Sequence, residues 1–435
     1  MPTPPTASGP PTLLRGFKDI LPAEIPYYRA VEDKTRETAA LYGYREIRPP
    51  ILERSEIFRR VIGEATDIVE KEMYAFPDRD GAEVTLRPEA TAGILRSVLE
   101  HDLHREGGRS LRLFSLGPMF RRERPQKGRF RQFHQLDFEA LGDDGPSLDA
   151  EVISLLARLM KSLGLSGLTL RLNSLGCPLC RPLYRERLSA YLAGEREGLC
   201  PDCRRRLESN PLRVLDCKNP LCGKLTAGAP KPMDFLCPEC RSHHESLLGL
   251  LKAPDLDLIE DPRLVRGLDY YRRTAFELHA GGLGSQNAVA GGGRYDGLSE
   301  HLGGPPLPGI GFAAGIERLV MLLRDQGERE APGPAFYLAP LGPEASGPLF
   351  RLGEELRSRG FSAVRGEEGQ SLKSHLKRAD KIKAKKAVLL GPDELREGRV
   401  TVKDLSRGTQ SPLSPEEFFK ELENPPTRER GGNPN

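Results

Sequence analysis

Six basic residues crowd the segment from Arg121 to Arg131, opposed only by Glu123. Arginine suits phosphate because its planar fork donates two parallel, charge-assisted hydrogen bonds. Taken alone, such a run is equally well explained by a solvated loop. The order of residue types points further: Arg121, Glu123, the basic loop Arg124–Arg129, then Phe133. An arginine reaches a phosphate, a carboxylate accepts from an exocyclic amine, and an aromatic ring stacks on a base; together they can hold a nucleotide. Just beyond, Gln135, Asp137 and Glu139 alternate, so a strand would present all three on one face.

Other candidate groups are spread along the chain. In RPEAT, Glu89 and Thr91 sit between a strand and a helix, where a carboxylate either caps the helix or holds an amino group. Arg266 precedes the pair Tyr270 and Tyr271, which by default are half-buried packing groups, and the glycines of AGGGRYDGL (290–298) let backbone approach a ligand closely. Arg318 falls in the first turn of a helix beginning near Ile316, where the helix dipole disfavours a cation; that mismatch hints at an anionic partner.

All eight cysteines lie between 166 and 254, as Cys177/Cys180, Cys200/Cys203, Cys217/Cys222 and Cys237/Cys240. Three pairs are CxxC on Pro-containing knuckles. In a reducing compartment that spacing is the mark of tetrahedral thiolate sites, and one or two structural Zn²⁺ ions are expected. The alternative is free thiols packed as small apolar groups. His243 and His244 are spare ligand candidates, expected at the surface.

These groups need elements to position them. LRLFSLGPMFRRE and FRQFHQLDFEALG flank the polar loop and predict an antiparallel hairpin with a cationic tip. Helices are expected over Ile25–Tyr42, Thr91–His101 and Asp149–Leu163, and a strand over Val84–Arg87. After Pro334, strand and helix alternate, predicting a small α/β domain with a largely parallel sheet. Its helix within 371–386 carries seven basic residues over 373–386 beside the stripe Leu372, Leu376, Ala379, Ile382. At 435 residues with 38% hydrophobic and 29% charged residues, the chain is expected to be globular with two or three domains. A net charge of +3 restricts any nucleic-acid surface to a local patch. No apolar run approaches membrane-spanning length, and the Pro-rich start lacks the blocks of a signal peptide, so a cytoplasmic protein is expected.

FRRERPQKGRFRQFHQ resembles motif 2 of class II aminoacyl-tRNA synthetases, in its histidyl-tRNA synthetase version. REIRPPILERSEIFRR is similar in position to motif 1, which builds the dimer interface in that family, and LPGIGFAAGIERLVMLL resembles motif 3. RPEAT matches RPEGT except at Ala90, and LVRGLDYY and AGGGRYDGL match two histidine-specific signatures. The likeness spans roughly 13–422. It implies an antiparallel-sheet class II catalytic core (13–165 and 255–328) with a Cys-rich insertion (166–254) and a C-terminal α/β anticodon-binding domain (335–422), flanked by disordered tails at 1–12 and 423–435. It further implies a homodimer that joins L-histidine to tRNA(His) at the expense of ATP with Mg²⁺. Arg121 and Arg266 would be catalytic. Glu89, Ala90, Thr91, Gln135, Glu139, Tyr270 and Tyr271 would bind histidine, and Arg121, Glu123, Arg129, Phe133 and Arg318 would bind ATP. Many relatives lack the cysteines, so the likeness does not supply the metal. The alternatives are a regulatory subunit of ATP phosphoribosyltransferase built on the same core, and a zinc-ribbon nucleic-acid adaptor. The full set Arg121, Arg266, Arg318 and the C-terminal domain weigh against the former.

Overall fold

Leu111–Phe120 and Gln132–Leu141 pair antiparallel, from Leu111 opposite Leu141 to Phe120 opposite Gln132. The structure is a computed structural model describing residues 11–63, 66–105, 110–126, 128–251, 257–266, 270–281, 287–329 and 332–423. The hairpin sits in an eight-stranded sheet. Its spatial order is 45–46, 111–120, 132–141, 309–315, 288–294, 272–280, 168–174, 257–260. Every pairing is antiparallel except the two at the sheet edges.

Strand alternation divides the labour between the two faces. Leu136, Phe138 and Ala140 are wholly buried in the main core. Across the register, Phe114, Phe138 and Phe312 stack at 5.6 and 5.1 Å between ring centroids. Helices Ile25–Leu41, Pro146–Ser162 and Ile316–Asp325 cover that face with Tyr28, Val31, Leu156 and Leu319. The intervening Gln135, Asp137 and Glu139 are thereby turned to the opposite face. Each helix matches its expected place to within a few residues. Pro146, preorganised for a first turn, starts its helix three residues before the expected Asp149.

The insertion is smaller than expected. Leu168–Ser174 and Asp257–Glu260 are strands of the main sheet, and Leu170 and Leu172 are buried in its core. The added segment therefore begins after Ser174, not at 166. It holds the helices Arg181–Gly194, Pro201–Ser209 and Pro220–Leu225 around a small core of Tyr184, Leu188, Leu192, Cys203, Val214 and Cys222, and the helix Pro238–Leu250, whose Leu247 joins the main core. The expectation for the two histidines is wrong. His243 and His244 are 8% and 2% exposed, and they bond Asp149 (2.8 Å) and Glu260 (3.0 Å). The last helix of the insertion packs on Pro146–Ser162, which carries the Asp149 partner of His243, while the strand Asp257–Glu260 carries the partner of His244.

The chain divides into two units, ending and beginning at Arg329 and Glu330. The second has a five-stranded sheet ordered 363–365, 336–340, 386–390, 400–404, 410–413. Its first two pairings are parallel and its last two antiparallel, so the sheet is mixed, not largely parallel. A tight turn explains the last pairing: Asp404 accepts from the Ser406 and Arg407 N–H groups, and Gly408 takes φ +70. The basic helix runs only over Leu372–Lys381, because Lys383 adopts φ +55 and the next strand begins at Lys386. Its stripe differs too: Leu372 is exposed, while His375 is buried on Tyr337 Oη and the Pro340 carbonyl. Most of the expected tails lie outside the described residues; Glu423 ends the helix Pro415–Glu423.

Candidate active site

The polar face of the hairpin floors a cavity of about 770 Å³. Glu89, Thr91, Gln135, Glu139, Tyr270 and Tyr271 line it, as expected from sequence, and so do Asp137 and Tyr295. A smaller cavity of about 230 Å³ shares its Arg121, Arg129, Gln135 and Arg266 walls and adds Phe133, Glu277 and Arg318. Three guanidinium groups spread over nearly 200 positions of sequence, Arg121, Arg266 and Arg318, thus line the smaller cavity together.

One end of the two adjoining cavities is acidic. Thr91 Oγ1 donates to Glu139 Oε1 (2.6 Å), and the Tyr295 hydroxyl donates to Glu139 Oε2. Burial pushes the Glu139 carboxyl up to about 8, despite these two donors. Burial also raises Asp137 well above the usual carboxylate range, and repulsion from Glu139 and Glu89 adds to it. Gln135 Oε1 and Asp137 Oδ2 are buried with no protein hydrogen-bond partner. Glu89 accepts from the Thr91 and Ala92 N–H groups at 2.9 and 2.8 Å, so it caps the helix Thr91–Glu100 while lining the cavity. Ala90 is fully buried at φ −99, an ordinary conformation for an L residue, so the departure from glycine carries no backbone strain. It is not among the residues that line the cavity.

The other end is cationic. Arg121 donates from Nε to the Pro88 carbonyl (2.8 Å), and its guanidinium carbon lies 5.3 Å from the Phe133 ring centroid. Arg266 pairs with Glu277 and lies 5.4 Å from the Tyr271 ring centroid. Burial raises Glu277, but hydrogen bonds from His279 and Arg266 outweigh it and hold the carboxylate at about 2. A Cβ at Gly291 would collide with the Arg266 guanidinium, which explains one glycine of the triplet. Arg318 donates to the Ala288 carbonyl, and Arg129 pairs with Glu123 at 2.8 Å. Glu123 is therefore engaged by the loop in this state. Lys127 and 267–269, which include part of LVRGLDYY, lie outside the described residues.

Sequence reasoning missed several participants. Tyr295 sat within a quoted motif without a role. Glu277 carried no signal, because only the fold sets it beside Arg266. The cavity's far wall was also unforeseen: Cys200, Asp202, Arg206, Arg213, Cys217 and Lys218 of the insertion line it. The eight cysteines are free thiols. They form two groups, Cys177/Cys180/Cys237/Cys240 and Cys200/Cys203/Cys217/Cys222, with the four sulfurs of each within 4.8 Å of one another. Tetrahedral Zn–S bonds of about 2.3 Å place sulfurs about 3.8 Å apart. The measured separations of 3.6, 3.9 and 3.9 Å (Cys177–Cys180, Cys177–Cys237, Cys200–Cys217) fit that geometry. Among the described residues, no helix is long and apolar enough to cross a membrane.

A family model described as histidyl-tRNA synthetase matches residues 16–183 and 237–319, and one described as anticodon binding domain matches 336–424. The histidine–tRNA ligase of Oleidesulfovibrio alaskensis is 49% identical over 402 residues, covering 92% of this chain and 96% of that protein. That of Desulfitobacterium hafniense is 48% identical over 406 residues, covering 93% and 96%. Among solved structures, the apo histidyl-tRNA synthetase of S. aureus superposes with a TM-score of 0.79 at 34% identity, covering 94% of this chain and 98% of that one.

Proposed function

The chain belongs to the histidyl-tRNA synthetase family, and from that premise we propose that it is a histidine–tRNA ligase, with ATP and L-histidine reacting where the two cavities join. The observation that carries this reading is the polarity of two adjoining cavities with shared walls, the larger lined by Glu139 and its neighbouring carboxyls, the smaller by Arg121, Arg266 and Arg318. Histidine has that same polarity: an imidazole and an ammonium at one side, a carboxylate at the other.

In the first step the histidine carboxylate oxygen attacks the α-phosphorus of ATP. The bond from that phosphorus to the bridging oxygen breaks, and pyrophosphate leaves. In the second, a hydroxyl of the tRNA 3′-terminal ribose attacks the histidyl carbonyl carbon and AMP leaves. Two anions meet in the first step, so the site must supply positive charge where charge accumulates. Arg121 and Arg266 bracket the carboxylate and the α-phosphate. Arg318 holds the outer phosphates, and Phe133 stacks on the base with Glu123 accepting from its amine. Glu123 is free to do so once Arg129 turns to the phosphates. Mg²⁺ bound with the nucleotide would supply positive charge to the leaving pyrophosphate. The ionised Glu277 and the neighbouring Glu123 and Glu317 are the carboxylates whose chemistry fits it. No protein nucleophile is required.

At the acidic end, Glu139 and Tyr271 hydrogen-bond the imidazole, while Gln135, Glu89 and Thr91 hold the ammonium. The unsatisfied Gln135 and Asp137 oxygens support this, since buried polar atoms without partners suit a ligand that supplies donors. The 336–424 unit reads the anticodon of tRNA(His), and the enzyme works as a cytoplasmic homodimer through the motif 1 segment. The cysteine groups hold structural Zn²⁺.

ATP–pyrophosphate exchange tests the reading. Exchange should require histidine and fall to background without it. Histidine binding with no exchange would refute the ligase reading in favour of a regulatory paralogue.

A further inference from the structure

The two cysteine groups stand in different places. Cys177/Cys180 and Cys237/Cys240 join the first turn of the insertion to the start of its last helix, so a metal there closes its neck. Cys200/Cys203/Cys217/Cys222 lies wholly within 184–236, between the two stretches that the family model matches. Two of its residues, Cys200 and Cys217, line the larger cavity.

The sulfurs are prepared as ligands. Backbone N–H groups of Cys237, Cys200 and Asn219 donate to the sulfurs of Cys180 (3.1 Å), Cys222 (3.3 Å) and Cys217 (3.4 Å). Such donors stabilise thiolate and fix its lone pairs. The elements bearing the second group are the helices Pro201–Ser209 and Pro220–Leu225, of nine and six residues. Helices that short do not persist by themselves, and the local core is small, so a cross-link is what gives them one shape.

That shape reaches the reaction site. Arg206 lies three residues after Cys203, and Arg213 four before Cys217. Their guanidinium groups grip a single carboxylate, Asp67 Oδ2, at 3.1 and 3.3 Å. Asp67 leads into the turn Ile68–Glu72, which also lines the cavity, and the Glu72 carbonyl accepts the Arg122 N–H at 2.7 Å, next to Arg121. A continuous chain of contacts therefore runs from four thiols to the hairpin that carries the phosphate-side arginine.

We propose that the chain binds two thiophilic divalent ions with separate duties, and that the second, at Cys200/Cys203/Cys217/Cys222, positions the wall of the reaction cavity through Arg206, Arg213 and Asp67. Each ion displaces thiol protons and changes no oxidation state. Arg206 and Arg213 are positioning residues. The kinetic part rests on the ligase reading; the ion count does not.

The test uses full-length protein purified without chelator. Elemental analysis should find two zinc ions per chain, and one in Cys203→Ser/Cys222→Ser. That variant should lose roughly tenfold to a hundredfold in kcat/KM for exchange. Because cysteine variants can misfold, Arg206→Ala/Arg213→Ala provides a second arm. It should keep both ions and an unchanged circular dichroism spectrum, yet show a comparable kinetic loss. The proposal is overturned by fewer than two ions per chain, or by wild-type exchange kinetics in the double-arginine variant. Absence of exchange in the wild-type protein would defeat the ligase reading, and the ion count would then decide the two-site claim alone.

Discussion

At the residue scale, the site consists of charges held where they would not rest unaided. Arg266 is partly buried and paired with Glu277, which keeps the guanidinium aimed rather than mobile. Preorganised donors of this kind are worth about 3–4 kcal/mol of transition-state stabilisation. Arg266→Ala should therefore lower the histidine-dependent exchange rate by roughly a hundredfold or more, with little change in ATP affinity; an unchanged rate would remove it from the mechanism. Glu139 has the opposite character. Its carboxyl rises from the ordinary 4.5 to about 8 on folding, so the native state holds a proton that the unfolded chain releases. Its contribution is fully present below about pH 4.5 and is lost as pH climbs towards 8. Glu139→Gln removes that titration. It should raise the melting temperature more at pH 8 than at pH 5, by a stability difference of about 3–4 kcal/mol, while histidine KM rises severalfold or more. Equal shifts at both pH values, or an unchanged KM, would count against the assignment.

At the element scale, one glycine and one buried cluster matter most. Gly291 is where the strand Ala288–Arg294 passes the Arg266 guanidinium, and a methyl group there has no room. Gly291→Ala should displace Arg266 and depress kcat, and circular dichroism should show the sheet intact. Beyond it in the same strand, Arg294 is wholly buried and meets Asp149 of the helix Pro146–Ser162, at 3.0 Å from Nε to Oδ1. Thr274 and His243 bond the same carboxylate, so four elements are tied at one point. Burial raises Asp149, but the His243 hydrogen bond and the Arg294 charge outweigh it and hold the carboxylate low. Its contribution is thus present above the ordinary carboxylate range and lost as pH falls below it. Asp149→Ala leaves the buried Arg294 with only the partly exposed Asp296 as counter-charge and should cost about 3–5 kcal/mol in denaturant unfolding at pH 7. A cost below about 1 kcal/mol would show that water reaches the guanidinium.

At the scale of the whole molecule, charge is balanced overall but not locally. The loop Arg124–Arg129 and the exposed Lys373, Lys377, Arg378 and Lys381 belong to different units, each a local basic patch on a chain of net charge +3. Binding of a polyanion at such patches releases counterions. Charging of tRNA should therefore fall steeply between 50 and 200 mM salt, whereas ATP–pyrophosphate exchange, which needs no RNA, should change far less. Parallel salt dependence of the two assays would point to a general effect on the catalytic cavity instead.

Much of this was legible in the sequence because it is written locally. Strand alternation set Gln135, Asp137 and Glu139 on one face, the basic loop marked the hairpin tip, and the paired spacing of the cysteines foreshadowed their grouping. What the sequence left open depends on distance in the chain. Which four cysteines share a site, that His243 is buried on Asp149, that Glu277 holds Arg266, and that the insertion walls the cavity through Asp67 are all juxtapositions of remote segments. Local pattern carries no information about them, because burial and pairing arise only when the sheet and its insertion close together in three dimensions.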